Sequence, residues 1–133
     1  MNKQGSRDMS DELHRALSGR KYISLETYRR TGVGVRTPVW FAEADGTLYV
    51  YSLAEAGKVK RVRATSRVRI APCDLRGNLK GDWLEAEARV VEGDEEKRGH
   101  ALLNQKYWPW KSMGDFFSRL RGRRQAILAV HLL

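Results

Sequence analysis

Arg36-Thr37-Pro38-Val39-Trp40-Phe41-Ala42-Glu43-Ala44, then Asp45-Gly46, then Thr47-Leu48-Tyr49-Val50-Tyr51-Ser52, is the stretch on which the fold turns. Val39 and Phe41 fall on one face of an extended segment and Trp40 on the other, the period-two alternation of a half-buried strand. Asp45-Gly46 places two residues that tolerate positive φ between two such segments, which predicts a tight hairpin. The returning segment over Thr47–Ser52 then points Leu48 and Val50 inward.

Working outward, the alternation recurs. In Tyr22–Thr31, Ile23, Leu25 and Thr27 face one way and Ser24, Glu26 and Tyr28 the other, and Gly32-Val33-Gly34 then interrupts. Arg67–Cys73 directs Val68 and Ile70 inward and Arg67 and Arg69 outward. Asp82–Val91 sets Leu84, Ala86, Ala88 and Val90 against Glu85, Glu87 and Arg89. Ala126–Leu132 is nearly all apolar, which predicts a central strand. Helices fill the gaps: one capped by Ser10 and stopping near Gly19, a basic one over Lys58–Thr65 with Val59 and Val62 inside, and one from Asp94 to about Tyr107. Met113, Phe116, Phe117 and Leu120, at i, i+3, i+4 and i+7, mark a further amphipathic turn. Six strands with short connections in so small a chain predict a mainly β fold with flanking helices. A closed or nearly closed antiparallel barrel would leave no aggregation-prone edges.

The 133 residues suit one domain, expected over residues 10–133 behind a loose tail of residues 1–9. The lone cysteine, Cys73, has no partner for an internal disulfide. No apolar run approaches the roughly 20 residues that span a bilayer. The opening MNKQGSRDMSDELHRAL lacks the apolar centre of a signal peptide, so a cytoplasmic protein is expected. His14, His100 and His131 lack metal-site spacing. Glu85 and Glu87 alternate with Arg89 on a face that reads as solvated. No nucleophile elbow, phosphate-binding P-loop or complete dinucleotide fingerprint is present. If the chain is an enzyme, so few catalytic side chains would leave the chemistry to a cofactor.

Charge is the informative excess. Lys58, Lys60, Arg61, Arg63, Arg67, Arg69, Arg76 and Lys80 face Asp74 alone, so residues 58–80 carry +7 of the net +9. Confinement to one segment points to a specific anionic partner. Within it, Ser52 ends a strand and Gly57 opens a helix whose first turn holds Lys58, Lys60 and Arg61. Free N–H groups, the positive dipole end and these cations suit a phosphate. Cations at a helix start oppose the dipole unless an anion compensates. Ser52-x-x-Glu55 also fits a capping box, which would start the helix earlier for structural reasons alone.

Arg36–Phe41, the Asp45-Gly46 turn, Leu48-Tyr49-Val50, Ser52 and Gly57-Lys58-Val59-Lys60-Arg61-Val62-Arg63 resemble the split β-barrel flavin and deazaflavin reductases, the class grouped with pyridoxamine-5′-phosphate oxidase. The run Val68–Gly77, followed by Gly81 and Trp83, resembles the mycobacterial-type, F420-dependent branch. The likeness covers about residues 12–131. It implies a six-stranded split barrel that forms a homodimer, with two cofactor sites at the subunit interface holding FMN, F420 or occasionally haem. It would place Ser52, Lys58, Lys60 and Arg61 on the cofactor phosphate. Arg36, Thr37, Pro38 and Val39 would lie along the ring system, offering main-chain hydrogen bonds, and Arg76 and Trp83 would reach in from the partner chain. Trp108 and Trp110 are candidate pocket walls or core residues.

The function this implies is hydride transfer between F420 and an unsaturated organic substrate, with FMN as the alternative cofactor. F420 carries a phosphodiester and a polyglutamate tail, and eight cations exceed what one FMN phosphate needs. Two rivals are a cofactor carrier without turnover and a nucleic-acid-binding barrel. The second is disfavoured because the basic stretch lacks interleaved aromatics for stacking bases. A pocket lined by Trp and Tyr fits flat organic molecules without naming one.

Overall fold

The structure, a computed structural model, describes residues 11–107 and 124–133. The expected tail, the Ser10 cap, Trp108, Trp110 and the turn at 113–120 lie outside the described residues.

Six strands, β1 (Tyr22–Tyr28), β2 (Gly34–Ala44), β3 (Thr47–Leu53), β4 (Arg67–Cys73), β5 (Leu84–Val91) and β6 (Gln125–Leu132), close into a barrel in the order β1-β2-β3-β6-β5-β4. Among the described residues three helices accompany them: α1 over residues 11–17, α2 (Gly57–Ala64) and α3 (Asp94–Tyr107). All the strand pairings are antiparallel. Among the described residues no helix is long and apolar enough to cross a membrane.

The hairpin forms as its sequence dictates. Asp45 and Gly46 both take positive φ, 55° and 81°, the mirror-image turn that matches strand twist. It sets Phe41 opposite Val50 and Ala44 opposite Thr47. The inward faces then interdigitate: Ile23, Leu25, Phe41, Leu48, Val50, Val68, Ile70, Ala86, Leu128 and Val130 are all buried in one core. Leu13 and Leu17 of α1 and Val59 and Val62 of α2 enter the same core. Strand β6 pairs with β3 on one side and β5 on the other; in a closed barrel every strand has two neighbours, so its apolar run shows as burial on both faces rather than as a central place. Its four residues Ile127–Val130 have no exposed surface because α3 covers the face that the barrel interior does not. That second layer requires a close approach: a Cβ on Gly99 would stand 2.8 Å from Ile127 Cγ2 and 3.1 Å from Tyr49 Cδ1.

Three expectations change. The first strand ends at Tyr28 rather than Thr31, and a turn follows in which Gly32 N–H donates to the Arg29 carbonyl. The fifth begins at Leu84 rather than Asp82. Ser24 and Glu26, which alternation puts on the outer face of β1, are nonetheless buried. Register explains Glu26: it is the cross-strand neighbour of Arg36 on β2 and of Arg69 on β4. Both guanidiniums close over it, with Nε atoms 2.8 and 2.7 Å from its carboxylate, while Tyr28 donates at 2.7 Å. Arg36 and Arg69 both lie over the Trp83 ring, 4.7 and 4.8 Å from its centroid. Arg69, expected to point outward, is thus one of two cations held on the buried Glu26 carboxylate.

Candidate functional site

Strand β2 changes partner midway, and the site follows from that. Residues Gly34–Trp40 pair with β1, whereas Phe41–Ala44 pair with β3. Over Tyr51–Leu53, β3 continues alone against β6. Between residues 38–40 of one strand and 51–53 of the other the ladder is open, and a cavity of about 330 Å³ occupies the opening. Its walls are Tyr22, Pro38, Val39 and Trp40 on one side and Tyr51, Ser52 and Leu53 on the other, with Ala56, Lys58 and Leu75 completing the lining.

Main-chain direction adds a polar group to this cleft. Phe41 turns its N–H and C=O towards Lys21 and the Tyr107 hydroxyl, on the β1 side. Strand alternation therefore aims the Pro38 carbonyl the other way, at the opening, while Trp40 stands where the β2–β3 ladder begins. Aromatic faces and a main-chain acceptor together suit a flat heterocycle with a polar edge.

At the end of the cleft α2 begins. Its N-cap is Ala56, with no side-chain hydrogen bond, and its first turn holds no acidic residue. The capping box expected from Ser52 and Glu55 does not form; the buried Ser52 hydroxyl donates instead to the Leu53 carbonyl at 3.0 Å. Lys58 is held below the usual lysine range, first by burial and then by the charge of Arg61. Arg61 is lowered as well, by burial and by Arg29. Among the described residues, Lys58, Lys60 and Arg61 have no carboxylate partner. Three cations further along the basic stretch are neutralised: Arg67 pairs with Glu85 at 3.2 Å, Arg69 with Glu26 at 2.7 Å and Lys80 with Asp74 at 3.9 Å. Folding thus divides the eight cations: among the described residues Lys58, Lys60, Arg61 and Arg63 of α2, and the exposed Arg76, have no carboxylate partner.

Of the residues singled out from sequence, Pro38, Val39, Ser52 and Lys58 meet at the cleft. Thr37 precedes Pro38 on β2 without lining it, and the exposed Lys60 follows Lys58 on α2. Arg61 donates Nε–H to Thr27 Oγ1 at 2.6 Å, at the foot of the same helix. Arg36 and Trp83 sit in the Glu26 cluster instead. Arg76 is exposed on a turn built by Asp74, whose Oδ1 accepts the N–H groups of Arg76 and Asn78 at 2.9 Å.

Sequence reading passed over Tyr22, Trp40, Tyr51 and Leu75 as individual site residues. Tyr22 and Trp40 were the findable pair, facing aromatics on the polar side of two adjacent strands, with rings 6.5 Å apart. Leu75, exposed inside a basic stretch, carried a weaker signal.

No family model matches the chain, and no curated protein does. Solved structures do. A Listeria innocua protein named as a pyridoxamine 5′-phosphate oxidase is similar at 13% identity over 93% of each chain, TM-score 0.66. A haem storage protein from Vibrio cholerae is similar at 16% identity over 94% of this chain and 90% of its own, TM-score 0.65. An FAD-binding protein from Mesorhizobium loti is similar at 14% identity, 91% and 85% coverage, TM-score 0.58. With its barrel order and these likenesses, the chain has the split β-barrel fold of the pyridoxamine 5′-phosphate oxidase-like proteins.

Proposed function

We propose that this protein binds a phosphorylated flavin-type cofactor, F420 in the first place and FMN as the alternative, and uses it to reduce an unsaturated organic substrate. The observation that carries the reading is the union of an aromatic-walled cleft with an uncapped, carboxylate-free helix start at Lys58. An FAD-binding protein among the structural neighbours supports a flavin-type ligand.

The residues fit such a group. Lys58, with Lys60 and Arg61 behind it, would hold the phosphate, and the buried Ser52 hydroxyl would turn from Leu53 to meet it. Bound there, the cofactor supplies the hydride. The chain's part is binding, orientation and exclusion of water. Trp40, Tyr22 and Tyr51 would sandwich or edge the ring, and the Pro38 carbonyl would meet its polar rim. Burial pushes the Tyr51 hydroxyl up to about 12, so it stays a neutral donor across the physiological range. A homodimer would complete the exposed side of the cleft, where Leu75 is 68% exposed.

A second reading, cofactor carriage without turnover, is favoured by one neighbour, the haem storage protein. Absorption spectra of the purified protein titrated in turn with F420, FMN and haem separate the two. The expected result is saturable binding of F420 or FMN with quenching of tryptophan fluorescence, followed by substrate reduction. Binding of haem alone would establish the carrier, and binding of none would refute both readings.

A further inference from the structure

The partner change in β2 leaves two gaps, one on each side of the strand, and they are treated oppositely. On the β3 side of residues 38–40 the gap is the cleft. On the β1 side of Phe41 the last residues of α3 fill it. β1–β2 pairing stops at Tyr22 opposite Trp40, so the next pair in register is Lys21 with Phe41. The Tyr107 hydroxyl stands in that place, 2.6 Å from the Lys21 carbonyl and 3.0 Å from the Phe41 carbonyl, and it accepts the Phe41 N–H at 3.2 Å. Lys106 Nζ donates to the same Phe41 carbonyl at 2.9 Å and sits 3.4 Å from the Phe41 ring centroid. The Tyr107 ring packs on Trp40, with centroids 5.6 Å apart.

One helix terminus therefore grips β2 at the residue where it joins β3 and braces the aromatic wall next to it. The opposite wall leans on the same helix, since Tyr51 meets His100 of α3 edge-on at 5.3 Å. Tyr107 has no exposed surface, and burial raises its hydroxyl above the ordinary tyrosine value, so it remains a hydroxyl and holds its bonds. Satisfied buried hydrogen bonds of this kind fix geometry more than they add stability.

We propose that Lys106 and Tyr107 are positioning residues for the cleft. By holding Phe41 they set how far Trp40 stands from the β3 wall, and so the breadth of ring system the cleft admits. The inference rests on reading the cleft as a ring site.

The test uses the full chain with Tyr107→Phe, which keeps the ring on Trp40, and Lys106→Met, which keeps the apolar stem. Hydrogen exchange by mass spectrometry should quicken in both lips, residues 38–41 and 50–53, by roughly fivefold to tenfold for one lost net hydrogen bond. Exchange along the rest of α3 should not change. Titration with FMN, F420 and haem should show altered ratios of affinity among these rings of different breadth. Unchanged exchange at the lips, quickened exchange along the whole of α3, or a uniform loss of affinity with constant ratios would each overturn the proposal. Should the wild type bind none of the three, the flavin reading fails, while exchange at the lips still decides whether the pair positions the cleft.

Discussion

Arg61 Nε lies 2.6 Å from Thr27 Oγ1, so a residue of α2 is tied to β1 while its guanidinium folds back over the start of its own helix. A Cβ on Gly57 would stand 2.7 Å from Arg61 Nη1. The clash is with the far end of a flexible side chain, which moves at little cost. Alanine is also the better helix former, by roughly 0.5–1 kcal/mol. Gly57→Ala should therefore leave thermal stability equal or slightly higher while lowering affinity for FMN or F420 severalfold. Calorimetry and titration on the same preparation check this; lost stability with intact affinity would contradict it.

Lys58→Ala should weaken phosphate-bearing cofactors by tenfold or more, because charge-assisted hydrogen bonds are worth roughly 1.5–3 kcal/mol. Arg61→Ala should act in the same direction. The wild-type affinity should also depend on pH. Lys58 is held below the usual lysine value, and only its protonated form attracts a phosphate, so binding falls as pH rises through that lowered pKa. Lys58→Ala should flatten this dependence. Equal affinity in both proteins across alkaline pH would remove Lys58 from the site.

Glu26 makes the barrel acid-sensitive. Burial alone would raise its pKa, but hydrogen bonds from Arg69, Arg36 and Tyr28 outweigh it and hold the group at about 2 against an ordinary 4.5. A carboxylate lowered on folding stabilises the native state above its unfolded pKa and loses that contribution as pH falls towards the folded one. About 3 kcal/mol should thus disappear between roughly pH 4.5 and 2. Glu26→Gln should cost on the order of 1.5–3 kcal/mol at neutral pH, since the charge-assisted bonds from Arg36 and Arg69 are lost while both guanidiniums keep contact with water. Melting curves against pH read both effects, and the variant should lack the acid-dependent part.

Gly99→Ala should destabilise by about 1–3 kcal/mol, because Ile127 and Tyr49 meet the new methyl on packed side chains that have nowhere to go. The loss should appear in denaturant midpoints. Gly93→Ala provides no such contact and serves as a contrast in space, although its φ of 66° adds backbone strain of its own.

Much of the fold was legible locally. Alternation placed Val68 and Ile70 inside, the unbroken apolar run of β6 marked a strand covered on both faces, and Asp45-Gly46 specified the hairpin, because such patterns depend only on neighbours along the chain. Glu26 was misplaced for the same reason. Alternation marks a face as outward but cannot know that Arg36 and Arg69, 10 and 43 residues away, will close over it. Tyr107 was legible as a helical apolar residue and not as the partner of Lys21, 86 residues distant.

The stretch Arg36–Ser52 by itself determined two paired strands, their turn and their inward side chains, since turn chemistry and a period of two are properties of adjacent residues. Only the tertiary structure decided that β2 exchanges β1 for β3 at Phe41. It also paired Arg67, Arg69 and Lys80 with carboxylates and left the cations of α2 without one among the described residues. Both outcomes are set by which distant groups the barrel register brings within hydrogen-bonding reach, and closure of the barrel is what fixes that register.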